Sequence, residues 1–262
     1  MEYVTSTDGT QIAYDSGGEG PPVVLVHGTG SNHACWDGVR ELLENEFRVY
    51  AMDRRGRGES GDAGEYHIER EFEDIATLVE SVGEPVNLVG HSYGSLTSLG
   101  ASTLITDSLR RMVLYEPPLW TPNKNLAPED ALEKMDRLIE EGDDEGVVET
   151  FFIDVAHSEE RLAYYRTLDS WDHRLDAAPT IAREVRGTNI YRPSAGDFEH
   201  VDTPARVMQG SETGGHLPAG TRAAYELLPN SELLELGGLD HSAIYSAPER
   251  FAEATIEFLQ RE

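Results

Sequence analysis

The sequence predicts an α/β fold: a largely parallel sheet with helices on both faces and one helical insertion. Two observations predict it. Short apolar runs rich in β-branched residues, such as Val23–Val26, alternate with segments of helical spacing in both flanks of the chain, as expected where helices connect parallel strands. Between the flanks, residues 117–201 contain helix-like segments and little strand signal. We therefore expect a core of residues 1–116 and 202–262 and a helical cap of residues 117–201.

The first flank gives its elements in a regular order. Residues 2–15 contain two short apolar runs around the turn Asp8-Gly9, which predict an antiparallel hairpin. The apolar spacing then switches repeatedly between the periods of a strand and of a helix. The predicted elements are strand 23–26, helix 36–44, strand 47–52, helix 68–82, strand 86–89, helix 93–105 and strand 112–115.

The alternation stops at Pro117-Pro118 and resumes after residue 201. The helices predicted in the insertion are 129–141, 145–157, 158–168 and 178–186. The second flank then predicts strand 205–209, helix 217–228, strand 232–236 and helix 248–259. In the last helix Glu249, Glu253 and Glu257 share one face, which is typical of a solvated surface without chemistry.

The chain of 262 residues is strongly acidic, with 21 Lys plus Arg against 49 Asp plus Glu and a formal charge of −28. This charge excludes electrostatically driven binding to nucleic acid or to anionic lipid. Only two lysines occur, Lys124 and Lys134. The composition resembles that of proteins from salt-accumulating halophiles, in which the Debye length falls to about 3 Å and self-repulsion is screened. A high-GC genome, which favours arginine codons over lysine codons, is the alternative explanation.

Other features limit the compartment and the cofactors. Cys35 is the only cysteine, so no intramolecular disulfide is possible. The N-terminal segment is neither basic nor apolar, and no stretch approaches the ~18 apolar residues of a membrane span. No spacing of the H-E-x-x-H kind predicts a metal site. We expect a soluble, cytoplasmic protein with no metal or organic cofactor and with a small molecule as its partner, and the oligomeric state stays open.

The strongest chemical signal is the motif G-x-S-x-G at residues 90–94. It lies between a predicted buried strand and a predicted helix, which is the context that a nucleophile elbow requires. The two glycines allow a sharp turn that presents Ser92 to a pocket, and the helix N-terminus beneath it stabilises developing negative charge. We therefore predict that Ser92 is a nucleophile.

A serine hydroxyl needs a base that accepts its proton. The best candidate is His241, in a loop between the strand 232–236 and the final helix, because a triad in the chain order serine, acid, histidine has its base there. An oxyanion hole needs two backbone N–H groups. We expect them from Tyr93, which follows the nucleophile, and from Thr29 in the glycine-rich loop after the strand 23–26. The alternative for that loop is a tight glycine turn without a role.

Together, several motifs resemble those of the α/β-hydrolase superfamily. They are H-G-T-G at 27–30, D-R-R-G-R-G-E-S at 53–60, G-H-S-Y-G at 90–94, L-Y-E-P-P at 114–118 and G-L-D-H at 238–241. The resemblance covers both flanks of the chain and implies an eight-stranded, mostly parallel sheet with a helical cap over a Ser-His-acid site. It also implies that the loop 53–60 is a tight structural turn without a catalytic role.

The sequence departs from the family pattern at the triad acid. Many members have an aspartate three residues after the glycine that ends the seventh strand, whereas this chain has Thr213 at that position. Two substitutes are open: Glu116, at the end of the sixth strand, and Glu212, one residue short of the usual place. Either carboxylate could orient the imidazole of the base. We favour Glu116 because a strand end and two following prolines hold it.

A serine at the nucleophile position argues against the reactions of the dehalogenase and epoxide hydrolase members of the superfamily, which use an aspartate. The predicted activity is hydrolysis of small to medium, largely apolar carboxylic esters through an acyl-enzyme. The alternatives are a slow or non-catalytic ligand-binding protein on the same scaffold, and a carbon–carbon bond hydrolase or perhydrolase.

The insertion is rich in aromatic residues, of which we expect two or three to line the substrate pocket. Trp120, just past the sixth strand, and Tyr93, beside the nucleophile, are the strongest candidates. Such a wall suits an apolar, uncharged acyl or alcohol group.

Overall fold

The computed structural model describes residues 1–119 and 127–261. Trp120, which the sequence predicts to line the pocket, lies outside the described residues. Within the described part of the chain, no helix combines the length and apolarity needed to cross a bilayer.

Eight strands form one sheet in the order β1-β2-β4-β3-β5-β6-β7-β8. The pairs β1/β2 and β2/β4 are antiparallel and the other five pairs are parallel. The implied eight-stranded, mostly parallel sheet is therefore confirmed. The strands are β1 Glu2–Thr5, β2 Gln11–Gly17, β3 Pro22–Val26, β4 Arg48–Met52, β5 Val86–His91, β6 Leu109–Tyr115, β7 Ala205–Gly210 and β8 Ser231–Leu236.

The central strands β3 and β5 are buried along their whole length, because helices cover both faces of a parallel sheet. Successive side chains of β3 point to opposite faces. Val24 and Val26 pack with helices α2, α3 and α9, whereas Val23 and Leu25 pack with α1 and α11. These helices are α1 Asp37–Leu43, α2 Ile68–Val82, α3 Tyr93–Ser102, α9 Leu217–Leu227 and α11 Pro248–Leu259.

The described chain between β6 and β7 is helical, and we call residues 127–198 the insert. Its apolar side chains, among them Met135, Phe152 and Val185, form a cluster of their own. The α-helices of the insert are α4 Glu129–Glu141, α5 Asp144–Thr150, α6 Glu159–Tyr165, α7 Trp171–Asp176 and α8 Ile181–Ile190. A short helix α10, Ala243–Ser246, follows β8.

The insert differs from the prediction in two places. The helix predicted over 145–157 is two pieces, because α5 is followed by a π-helical turn over Phe151–Val155. The helix α7 is not predicted at all. Its one buried residue is an arginine, Arg174, so no apolar periodicity marks it in the sequence.

Candidate active site

Ser92 lies in a sharp turn between β5 and α3. Its backbone has φ 56° and ψ −124°, a conformation that few non-glycine residues adopt. The turn is held because the Ser92 N–H donates to the carbonyl of Tyr115, at the end of β6, over 2.8 Å. A strained serine at a strand-to-helix turn is the geometry of a nucleophile elbow.

Three glycines make this turn possible. A Cβ on Gly94 would lie 2.2 Å from the carbonyl oxygen of Val26, and one on Gly90 would lie 2.6 Å from the Cα of Ser95. A Cβ on Gly28 would come within 3.0 Å of the Ser92 Cβ itself. The glycine-rich loop after β3 therefore packs directly against the elbow.

Glu116 and His241 are hydrogen-bonded, with 2.5 Å between Glu116 Oε2 and His241 Nδ1. Glu116 directly follows β6 and has φ 50°, and its carboxylate is fully buried. A carboxylate accepts and does not donate, so Nδ1 carries the proton. In a neutral ring this leaves Nε2 free to accept a proton.

The structure brings Glu116, and not Glu212, to the histidine. Glu212 is exposed, and its carboxylate accepts a hydrogen bond from the neighbouring Ser211 hydroxyl. Thr213, at the usual acid position, donates its hydroxyl to Glu116 Oε1 over 2.5 Å. The Gly210 N–H donates to the same oxygen over 2.7 Å. Residues at and just after the end of β7 therefore hold the Glu116 carboxylate in place.

Burial affects the titration of both partners. Burial raises the pKa of Glu116, and the hydrogen bonds from Thr213 and Gly210 oppose this shift. Burial also lowers the pKa of His241 well below its ordinary value, and the positive charges of Arg161, His216 and Arg174 lower it further. The imidazole is consequently neutral near pH 7, the state in which it can act as a base.

The loop over residues 27–30 carries the predicted oxyanion donor Thr29. His27 orders this loop, because its Nδ1 lies 2.9 Å from the Gly28 carbonyl and its Nε2 accepts the Arg54 N–H. Tyr93 begins α3, and a first-turn N–H has no partner within its helix. Both Thr29 and Tyr93 line the same pocket as Ser92 and His241.

Behind this loop lies a group of fully buried charges, which we call the paired cluster: Arg54, Arg57, Glu71 and Glu184. Arg54 donates to Glu71 over 2.9 Å and to the His27 carbonyl over 3.1 Å. Glu184, on α8 of the insert, forms ion pairs with both arginines. The paired cluster thus connects the insert to the loop that carries Thr29.

The pocket lies between the sheet and the insert. Three aromatic residues of the insert line it: Phe151, Phe152 and Tyr165. The π-helical turn over 151–155 contributes two of these rings.

The sequence does not predict two arginines of the lining, Arg161 and Arg174. Arg174 lies on the unpredicted helix α7, and Arg161 lies on α6 among other charged residues. Neither has a spacing or a motif that would distinguish it from a solvated arginine. Among the described residues, no group of three or more potential ligands has the geometry of a metal site.

The fold and the site now define the class of protein. Residues 23–254 match the alpha/beta hydrolase family, and the chain belongs to this family. A hydrolase of Sphaerobacter thermophilus has the same fold with a TM-score of 0.86 and 30% identity, over 99% of this chain and 100% of that one.

Two further relatives have more specific names. The chain is 26% identical, over 100% of its length and 91% of the relative's, to a 2-hydroxy-6-oxo-6-(2'-aminophenyl)hexa-2,4-dienoic acid hydrolase of Metapseudomonas resinovorans. The structure of a thermophilic esterase from Thermogutta terrifontis matches with a TM-score of 0.80 and 24% identity, over 99% of this chain and 97% of that one. At that identity the likeness supports the fold alone.

Proposed function

We propose that this hydrolase cleaves small to medium carboxylic esters with a largely apolar body, through an acyl-enzyme. The observation that carries the proposal is the 2.5 Å hydrogen bond between Glu116 and His241, in a pocket that Ser92 also lines. The bond orients the ring so that its second nitrogen is the one available to the nucleophile. Trp120 remains a candidate for the pocket wall.

The proposed reaction has two halves. Ser92 Oγ attacks the ester carbonyl carbon while His241 Nε2 takes the hydroxyl proton. The N–H groups of Thr29 and Tyr93 bind the oxyanion, and Glu116 stabilises the imidazolium. The C–O bond then breaks, and the alcohol leaves with the proton from His241. Water, deprotonated by His241, hydrolyses the acyl-enzyme to the acid and restores Ser92.

A second candidate is hydrolysis of a carbon–carbon bond next to a ketone. The name of the Metapseudomonas relative favours it, since its substrate is an oxo acid. The same nucleophile and base would serve. A panel that contains both ketone and ester substrates distinguishes the two activities.

The test combines turnover with covalent labelling. We expect the wild-type enzyme to hydrolyse p-nitrophenyl butyrate and to take up one organophosphonate, which peptide mapping places on Ser92. Glu116→Gln should lower kcat by about 10²–10⁴-fold, whereas the exposed Glu212→Gln should leave it unchanged within about twofold. Folded protein without turnover or adduct would favour the ligand-binding alternative. Equal, small losses in both glutamine variants would leave Glu116 without its proposed role.

We also propose that the acidic surface suits concentrated salt. The formal charge is −28, so the acidic groups repel one another in dilute buffer, and molar KCl screens this repulsion. The turnover assay is therefore run in dilute buffer and in molar KCl. Higher turnover in KCl supports the proposal, and a flat salt profile contradicts it and favours the codon-bias explanation.

A further inference from the structure

Arg174 is a buried cation that forms no ion pair with a carboxylate of the described residues. Its side chain comes from α7 and is 4% exposed. Its Nη1 donates to the Gly30 carbonyl over 3.0 Å and its Nη2 to the Tyr245 hydroxyl over 2.8 Å. The guanidinium carbon lies 3.8 Å from the centre of the Tyr165 ring. None of these groups is charged, and Nε has no partner among the described residues.

The other buried arginines of the described chain are arranged differently. Arg54, Arg55, Arg57 and Arg206 are as deeply buried as Arg174. Each of them forms an ion pair with at least one carboxylate. This is the usual state, since a guanidinium stays ionised and is costly to bury alone. Arg174 is the exception, and it lines the pocket of the candidate active site.

A second cation supports the same interpretation. Arg161 is partly buried, lines the pocket, and makes no ion pair among the described residues. Its Nε is buried and without a hydrogen-bond partner. No aspartate or glutamate is found among the described residues of the lining, although the chain as a whole has 49 of them. The described lining thus contains two arginines and no carboxylate.

We infer that the substrate carries a carboxylate in addition to its scissile bond, and that Arg174 binds this carboxylate. The inference rests on the proposed function, because it specifies the substrate class of that same site. Arg174 bonds to Gly30, the residue next to Thr29 of the proposed oxyanion hole. The carboxylate is therefore a few bonds away from the reacting carbonyl. A short half-ester of a dicarboxylic acid has this chemistry.

The test compares two esters that differ in charge, monomethyl glutarate and dimethyl glutarate. Binding is measured by calorimetry on the Ser92→Ala variant, so that no turnover is needed. We expect the anionic ester to bind about 30-fold tighter or more, the usual effect of a desolvated charge pair. Adding Arg174→Gln should bring the ratio of the two dissociation constants close to one. Arg174→Lys, which keeps the charge, should retain part of the preference.

Arg166→Gln is the matched control. It removes an arginine from the same insert, but Arg166 pairs with Glu145 and Glu149 on the surface. The preference should be unchanged in this variant. If Arg174→Gln does not fold, Arg161→Gln replaces it and should lower the preference less. A ratio near one in Ser92→Ala itself overturns the inference, whatever the variants do.

Turnover of the same esters separates this inference from the proposed function. Binding preference without hydrolysis of either ester would support the carboxylate site and contradict the hydrolase proposal. Hydrolysis of both esters at equal kcat/KM, with equal binding, would support the hydrolase proposal and contradict the carboxylate site. An equal loss for both esters in Arg174→Gln would give Arg174 a structural role only, and would also overturn the inference.

Discussion

Buried arginines hold the loop of residues 27–30 at both ends, the paired cluster at His27 and Arg174 at Gly30, and the two sides differ in what neutralises the positive charge. In the paired cluster, Arg54 donates to the His27 carbonyl and has Glu71 and Glu184 as counterions. On the pocket side, Arg174 donates to the Gly30 carbonyl and the Tyr245 hydroxyl, and its hydrogen-bond partners in the described part of the chain are neutral. The first group is electrostatically complete, whereas the second has a charge left for a ligand.

The comparison shows that an arginine can be buried for a structural reason or for a functional one. A buried ion pair holds parts of the chain together, and removing one partner leaves the other charge uncompensated. A buried arginine without a counterion is destabilising unless something else binds it. The arginines on the two sides are equally buried. What distinguishes a structural arginine from a ligand-binding one is therefore whether a carboxylate pairs with it.

The largest expected difference is in stability. Arg54→Met leaves the two buried carboxylates of the paired cluster with one cation of that cluster, Arg57. The uncompensated negative charge should cost about 3–5 kcal/mol of the free energy of unfolding. Arg174→Met loses two hydrogen bonds, but it also removes a buried charge that has no counterion among the described residues. Because these effects oppose each other, the variant should lose about 1 kcal/mol or less. Urea denaturation of both variants measures the two values. Equal losses would break the comparison.

A smaller effect is expected in acid. Although burial alone would raise it, the guanidinium groups of Arg54 and Arg57 lower the pKa of Glu71 to about 2. A depressed carboxyl pKa gives stability that is present above the unfolded value of about 4.5 and is lost as the pH falls toward 2. Urea denaturation of the wild type should show this loss, roughly 3 kcal/mol.

Glu71→Gln is the comparison for the acid prediction. The variant should be less stable than the wild type at pH 7 and should lose less stability between about pH 4.5 and 2. Parallel pH profiles for the two proteins would mean that Glu71 is not the group responsible.

The smallest effect concerns catalysis. Burial, then Arg161, His216 and Arg174, lower the pKa of His241, and the base must be neutral to act. The acid limb of kcat/KM should therefore lie below pH 6.5. Arg161→Gln removes a positive charge, so it should raise this pKa and move the limb to higher pH. Arg166→Gln, with its charge on the surface, should not move it, and an unmoved limb in both variants would contradict the argument.

Much of the fold follows from local patterns. The bounds predicted for the helices 68–82, 129–141 and 248–259 are those observed. Each has a clear apolar stripe, and the first two end at glycines, Gly83 and Gly142. Pattern alone misses α7, whose buried residue is charged, and the π-helical turn at 151–155. Both depend on how the insert packs over the pocket.

The candidate site divides in the same way. Ser92 and His241 are readable from the sequence because a nucleophile elbow needs glycines at fixed spacing and a following loop supplies the base. The choice between Glu116 and Glu212 cannot be read from the sequence, because it depends on which loop reaches the imidazole of His241. In the structure Glu116 is hydrogen-bonded to His241, and Thr213 donates its hydroxyl to Glu116.

The sequence by itself therefore determined the sheet, the elbow and the acidic surface, since period, glycine spacing and charge are local properties of the chain. Only the tertiary structure decided which carboxylate is bonded to His241, which buried arginines form ion pairs and which arginines line the pocket. These are properties of distance between residues far apart in the chain, such as the 125 positions between Glu116 and His241. A buried charge acquires its role from the groups that packing brings within a few ångströms of it.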